Sequence, residues 1–302
     1  MQRSLAKSVL FDGIGLHTGA PVRMALCPAP AGQGIVFRRD DLGGRAVPAR
    51  WDAVDPSPLM TRLVAQDGTS VATVEHVMAA LAGTGVTNAT VRLSGPEAPI
   101  LDGSSAPFVR AIRRTGLTEQ PGPLTAWRVL RPVEVQRGDA VARLEPGPGL
   151  EIGFEISFPD AAIGHQSRRL DLAGAAFCTE LAEARTFCRA ADIDAMHAAG
   201  RALGGSYDNA VVVDGARVLS PGGLRWPDEA VRHKMLDALG DLALAGAPIL
   251  GRYTGLRAGH ALTNALLHRL FAEPGAVRPV TCTAAMAARL PGLPAPHLRA
   301  VA

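Results

Sequence analysis

Short alternating runs dominate the hydrophobic pattern of this chain. Val22, Met24 and Leu26 stand at every second position before Pro28, the period of a half-buried strand. That run passes through a Pro/Gly turn into Gly34-Ile35-Val36-Phe37. Further on, Ala140-Val141-Ala142-Arg143-Leu144-Glu145-Pro146 passes through a similar turn into Glu151-Ile152-Gly153-Phe154. Both pairs read as strand, turn, strand. A second echo links Gly85-Val86-Thr87-Asn88-Ala89-Thr90-Val91 to Ser206-Tyr207-Asp208-Asn209-Ala210-Val211-Val212, each placed after a helical segment. The pattern predicts, in each half, a hairpin-rich sheet, a helix, a strand and at least one more helix. Chance likeness of short strands competes with duplication as the cause. Strands that cluster and then yield to helices argue for an α+β class and against a doubly wound sheet. The expected architecture is two similar layered α+β domains from an internal duplication, with the active site in the cleft between them. The Pro/Gly-rich stretch 118–124 is suited to a linker, which places the domains at 1–120 and 125–302.

Several helical segments carry polar residues among apolar ones. In 232–241 (R-H-K-M-L-D-A-L-G-D), His233 and Asp237 are four apart and share one helix face. Asp241 follows one turn on, and Lys234 sets a cation beside them. An imidazole and a carboxylate converging there suit zinc, provided a third ligand arrives from elsewhere and one position stays open. An exposed i,i+4 pair reads equally well on this segment alone. The stretch 72–83 predicts a helix with Thr73 as cap and Gly83 at its end. Glu75 and His76 diverge there by about 100°. His76 could therefore ligate a metal while Glu75 serves as a base; the alternative is a dipole-favoured Glu beside a partly buried His. The two-histidine HExxH motif does not occur.

Three other segments bear on chemistry. His260 follows a glycine at a helix start, where the dipole and a nearby carboxylate, Asp241 being one candidate, would set its pKa. Thr186 stands between Arg185 and Phe187 and could donate to an oxyanion or bond locally. The glycine-rich stretch 11–19 is not followed by the helix that a dinucleotide fingerprint requires. His17 within it is open between a structural and a cleft role, and Asp102-Gly103 is a turn signal first.

Composition narrows the class. Of 302 residues, 47% are hydrophobic and 20% charged, so the chain is globular and long enough for two domains. A formal net charge of +3, with no basic run interleaved with aromatics, leaves nucleic-acid binding unsupported. Such a field suits an anionic small molecule, and Lys234 and Arg257 lie beside candidate site residues in sequence. Cys27, Cys178, Cys188 and Cys282 form no CxxC, so a reducing cytoplasm is the default. The N-terminus lacks the apolar run of a signal peptide, and no stretch is long and apolar enough to span a membrane. A soluble cytoplasmic protein is expected.

Taken together, these segments resemble the UDP-3-O-acyl-N-acetylglucosamine deacetylase family. The motifs are G-I-G-L-H-T-G from Gly13, T-V-E-H-x-M-A-A-L from Thr73 and L-D-G-S from Leu101. A-R-T-F from Ala184, L-G-G-S-x-D-N-A from Leu203, D-E-x-V-R-H-K-M-L-D-A-x-G-D-L from Asp228 and A-G-H-A-L-x-N from Ala258 complete the set, in order over nearly the whole chain. The resemblance implies a zinc amidase of lipid A synthesis whose partner is an acylated UDP-amino sugar. It implies His76, His233 and Asp237 as zinc ligands and Glu75 as general base. Zinc and Thr186 would stabilise the oxyanion, and His260, oriented by Asp241, would protonate the leaving amine. Lys234 would bring charge near the diphosphate or the oxyanion, with Phe187 and Arg257 as substrate contacts. An acyl passage would fall within 186–203. A monomer with transient membrane-surface association, and no transmembrane segment, is expected. Two departures stand out: Cys188-Arg189 follow A-R-T-F where the family has glycine and an apolar residue, and Arg257-Ala258 replace Lys-Ser.

Overall fold

The computed structural model describes residues 1–57, 59–292 and the backbone of 298–299. The first part builds β1 (Gln2–Leu5), β2 (Val9–Ile14), β3 (Pro21–Pro28), β4 (Ile35–Arg39) and β5 (Arg45–Pro48). A small sheet follows, made of β6 (Val54–Asp55), β7 (Arg62–Val64) and β8 (Ser70–Ala72). Then come α1 (Glu75–Thr84), β9 (Ala89–Leu93), α2 (Ala106–Thr115) and β10 (Leu117–Gln120). The remainder opens with β11 (Thr125–Val129), β12 (Val133–Arg137), β13 (Ala140–Pro146), β14 (Leu150–Ser157) and β15 (His165–Asp171). Next are α3 (Ala176–Glu180), β16 (Phe187–Arg189), α4 (Ile193–Ala198), β17 (Val211–Asp214) and β18 (Arg217–Val218). The described chain closes with α5 (Glu229–Leu242), β19 (Ile249–Leu256), α6 (His260–Ala272), β20 (Val277–Thr281) and α7 (Ala284–Ala287). Mostly antiparallel sheets with helices packed on them make this an α+β fold.

Two sheets share one strand plan. In the first the order is β2-β3-β9-β4-β5, antiparallel throughout except for the parallel pair β9 and β4. In the second, β12, β13, β19, β14 and β15 pair in the same order, with β19 and β14 as the parallel pair. β11 and β20 extend the second sheet, β11 running parallel to β19 and antiparallel to β20. The first echo read from the sequence matches this plan, since its runs form β3 with β4 and β13 with β14. The second does not. The strand in the place of β9 is β19, while 206–212 leads into β17 of a separate three-stranded sheet with β16 and β18. A short apolar run after a polar turn recurs wherever a strand begins, and its partners rather than its letters decide where it pairs.

Burial explains these elements. β3 alternates exposed and buried positions along one sheet face. α1 is buried nearly all round, which suits its Ala/Leu/Val/Met composition. It starts at Glu75, later than the sequence suggests, because Thr73 is left-handed (φ 55°) and its hydroxyl donates to Glu97 Oε1 at 2.8 Å instead of capping the helix. Gly83 lies inside α1, where a Cβ would meet the Phe177 ring at 1.9 Å. The helix ends on left-handed Gly85, whose N–H reaches the carbonyls of Ala82 and Leu81. Of the predicted linker, Thr118 to Gln120 belong to β10, paired with β1, and 121–124 connect β10 to β11. Of the Pro/Ala/Arg-rich stretch 274–302, β20 pairs with β11, and Gly292 N–H donates to Gly174 O at 2.8 Å. Residues 293–297 and 300–302 lie outside the described residues. Among the described residues, no helix is long and apolar enough to cross a membrane.

The helices set the site. α1 packs against α5, α5 lies on β14 and β15, and α6 lies on β12 and β13. At the α1–α5 crossing a Cβ on Gly240 would stand 2.1 Å from the Glu75 carbonyl oxygen, so the two backbones touch. Gly240→Ala is expected to force the helices apart, costing about 1–3 kcal/mol in urea unfolding. Gly95→Ala meets only ordinary contact with Val22 at 3.7 Å and should stay within about 0.5 kcal/mol of the parent. Equal stability of the two variants would contradict the close crossing.

Candidate metal and catalytic site

Glu75 and His76 open α1, His233, Lys234, Asp237 and Asp241 line α5, and His260 opens α6. Ring nitrogens of His76 and His233 and a carboxylate oxygen of Asp237 all lie within 4.8 Å of one another, and all three residues are buried. His233 Nε2 is 3.2 Å from Asp237 Oδ1, His76 Nε2 is 3.7 Å from the same oxygen, and the two rings meet edge to face at 5.0 Å.

The protonation pattern makes this cluster rich in lone pairs. His233 Nδ1 is 3.0 Å from the Ala184 carbonyl, which can only accept, so Nδ1 carries the hydrogen and Nε2 offers its lone pair inward. Burial holds His233 below its usual pKa, and burial with His233 alongside depresses His76 to about 3. Burial thus favours the neutral form of both imidazoles. Burial alone would raise Asp237, but His233 and Lys234 outweigh it and keep the carboxylate far below its usual range. Lys234 Nζ donates to Asp237 Oδ2 at 2.7 Å, and Asp237 Oδ1 is buried without a hydrogen-bond partner among the described residues. Acceptors that face one another across 3–4 Å form a donor set suited to a cation. The two-nitrogen, one-oxygen donor set fits a borderline divalent ion such as zinc.

Glu75 and His260 flank the cluster. Glu75 Oε1 is 3.8 Å from His260 Nε2, which is itself 3.7 Å from Asp237 Oδ2. Burial pushes Glu75 up to about 7. Burial alone would lower His260, yet Asp241, Asp237 and Glu75 outweigh it and raise it to about 9. His260 Nδ1 stands 2.9 Å from Asp241 Oδ2, so Asp241 faces the histidine, away from His76 and His233. Glu75 thus lies near neutrality and His260 above it, so one is able to take a proton while the other holds one.

The remaining sequence candidates are distributed around this centre. Ala184, which orients His233, belongs to a segment locked down by buried Arg185, whose side chain forks onto Glu229 at the start of α5. Thr186 follows, its backbone held between Gly103 O and Val211 N–H at 2.8 Å each. The Phe187 ring lies 6.3 Å from His233 and 5.4 Å from Phe158. Arg257 is not brought to the cluster: it is exposed and paired with Asp139. Cys188 and Arg189 lie on β16, where Arg189 pairs with Asp160. His17 is anchored through its N–H to Glu97 Oε1 and accepts at Nδ1 from Ala202 N–H. Its Nε2 is buried without a hydrogen-bond partner among the described residues. Burial lowers its pKa, opposed by Glu97 and assisted by Arg201 and His260. Sequence reasoning missed Thr61, Ser105 and the Arg185–Glu229 lock. Ser105 Oγ donates to the His76 carbonyl at 2.7 Å. A buried-looking Arg and Glu flanking two site motifs was the available signal for the lock; Thr61 had none.

Comparison with known proteins decides the family. The model of the LpxC family, UDP-3-O-acyl N-acetylglycosamine deacetylase, matches residues 2–272. The chain belongs to this deacetylase family. It is 49% identical over 282 residues to the UDP-3-O-acyl-N-acetylglucosamine deacetylase of Anaeromyxobacter sp. (strain Fw109-5), covering 93% of this chain and 92% of that one. The enzyme of the same name from Phenylobacterium zucineum (strain HLK1) is 48% identical over 279 residues, with 92% and 95% covered. That of Shewanella sp. (strain W3-18-1) is 44% identical over 278 residues, with 91% of each chain covered. LpxC proteins are metalloenzymes, in keeping with the His76–His233–Asp237 cluster.

His76→Ala and Asp237→Ala should each lose tightly bound metal after dialysis, whereas Asp241→Asn, which alters a group facing His260, should keep it. Metal content by mass spectrometry checks this. Full retention in the first two variants would dismiss the ligand set.

Proposed function

We propose that this chain hydrolyses the N-acetyl group of an acylated UDP-N-acetylglucosamine, releasing acetate and the free 2-amino sugar nucleotide, at the committed step of lipid A synthesis. Membership of the deacetylase family supports the substrate class. The convergence of Glu75 and His260 on the three-residue cluster carries the assignment of roles. His76, His233 and Asp237 hold zinc. When bound, the ion polarises the amide carbonyl and makes a water acidic enough to attack near neutrality. Glu75, raised toward 7 by burial, accepts a proton of the attacking water through Oε1. The Thr186 hydroxyl donates to the oxygen that gains negative charge. His260 gives its Nε2 proton to the departing amine nitrogen, and Asp241 at Nδ1 fixes the ring. Lys234 holds Asp237 and adds positive charge to the site.

Binding follows the same chemistry. Phe187 presents its ring beside the ligand His233 to the sugar or its acyl chain. Arg257, at the surface three positions before His260, offers a cation to an arriving diphosphate once it exchanges Asp139. The acyl chain lies along 186–203, where β16 and α4 cross over to β17. The chain comprises two domains, 1–120 and 125–302, derived from a duplication, and the shared strand order of the two sheets supports this. It works in the cytoplasm as a monomer that meets the membrane surface transiently.

Glu75→Ala and His260→Ala are each expected to lower kcat by roughly 10²- to 10⁴-fold while bound metal stays at the parent level. Acetate release assayed beside metal analysis tests this. Turnover within a few fold of the parent would remove the role assigned to that residue.

A further inference from the structure

Thr61 joins both proton-handling groups. It precedes β7, and the β7–β8 register (Arg62 opposite Ala72) carries it to the start of α1. Its backbone N–H donates to Glu75 Oε2 at 3.1 Å. Its hydroxyl donates to Asp241 Oδ1 at 2.5 Å, a short charge-assisted bond. The same hydroxyl accepts from Asn264 Nδ2 at 3.3 Å, so its proton has one direction left, toward Asp241. Asn264 is four residues after His260 on α6. Thr61 is 1% exposed, so water does not replace these contacts.

We propose that Thr61 is a positioning residue that sets the base and the acid relative to each other. This rests on the reading of Glu75 as base and His260 as acid. A carboxylate can turn about its Cβ–Cγ or Cγ–Cδ bond and exchange its oxygens. Thr61 removes that freedom twice. With Oε2 of Glu75 tied to the backbone, Oε1 is the oxygen left facing His260 at 3.8 Å. With Oδ1 of Asp241 tied to the hydroxyl, Oδ2 stays on His260 Nδ1, and Nε2 stays aimed into the site. The hydroxyl therefore acts through Asp241 on His260, and the backbone N–H acts on Glu75.

Substitution separates the two. Thr61→Val keeps shape and backbone N–H but loses the hydroxyl, whereas Thr61→Ser keeps both donors. In the zinc-loaded full chain, Thr61→Val is expected to lower kcat about 10- to 100-fold with KM and metal content unchanged. Thr61→Ser should recover most of that loss. In a His260→Ala background, Thr61→Val should cost nothing further, because the group it positions is gone. Parental kcat in Thr61→Val beside an impaired His260→Ala overturns this inference alone. So does a full further loss in the double variant. Parental turnover in His260→Ala overturns the assignment of the acid, and this inference with it. If valine lowers the melting temperature, Thr61→Ala, which sets no extra methyl against Asp241, is read against the same outcomes.

Discussion

Gly240 lets α5 run against the backbone of α1 at Glu75, and the positions of the site side chains follow from that contact. From this crossing, Asp241 lies one residue on, Asp237 three back and His233 seven back, so all three project from the side of α5 nearest α1. Glu75 and His76 are the first two residues of α1 and stand at the same level. With a larger residue at 240 the helices would separate, and separations of 3–4 Å between groups on different helices would open together. Helix α6 then adds His260 at its own first position. Groups on rigid helices hold such geometry better than groups on loops.

The site concentrates unfavourable features that only function explains. Buried imidazoles face a buried carboxylate oxygen that has no hydrogen-bond partner among the described residues. A carboxyl raised toward 7 stands beside a histidine raised to about 9. Backbone strain gathers in the same region. The left-handed non-glycine residues Leu59, Thr73 and Arg257 each lie within three positions of Thr61, Glu75 or His260, and left-handed Ala202 donates to His17. Such conformations cost energy, and they persist where the surrounding fold over-determines them.

Much of this was legible in the sequence, for identifiable reasons. The i,i+4 pair of His233 and Asp237 is a local helical signal, and the alternation in β3 and β13 is a local strand signal, so both were readable. The matching strands β3–β4 and β13–β14 are legible, but the likeness pairs β17 with β9, whose true counterpart is β19. Strand identity is set by distant partners, and a seven-residue likeness carries no information on those. Thr73 resembled a cap because Thr favours that position, yet Glu97, 24 residues away, takes its hydroxyl. Thr61 was invisible because its importance lies in contacts to residues 14, 180 and 203 positions distant. His260 and Asp241 could be paired from the sequence because a histidine at a helix start and a carboxylate among apolar helix residues are both local signals, and the two stand 2.9 Å apart.

X-ray absorption at the metal edge of the zinc-loaded protein tests the centre most directly. Two imidazole nitrogens with oxygen completing the shell, at roughly 2.0–2.2 Å and without sulfur, are the expected result. A sulfur shell near about 2.3 Å from any of the four cysteines, or a shell with no imidazole, would contradict the site built by α1 and α5.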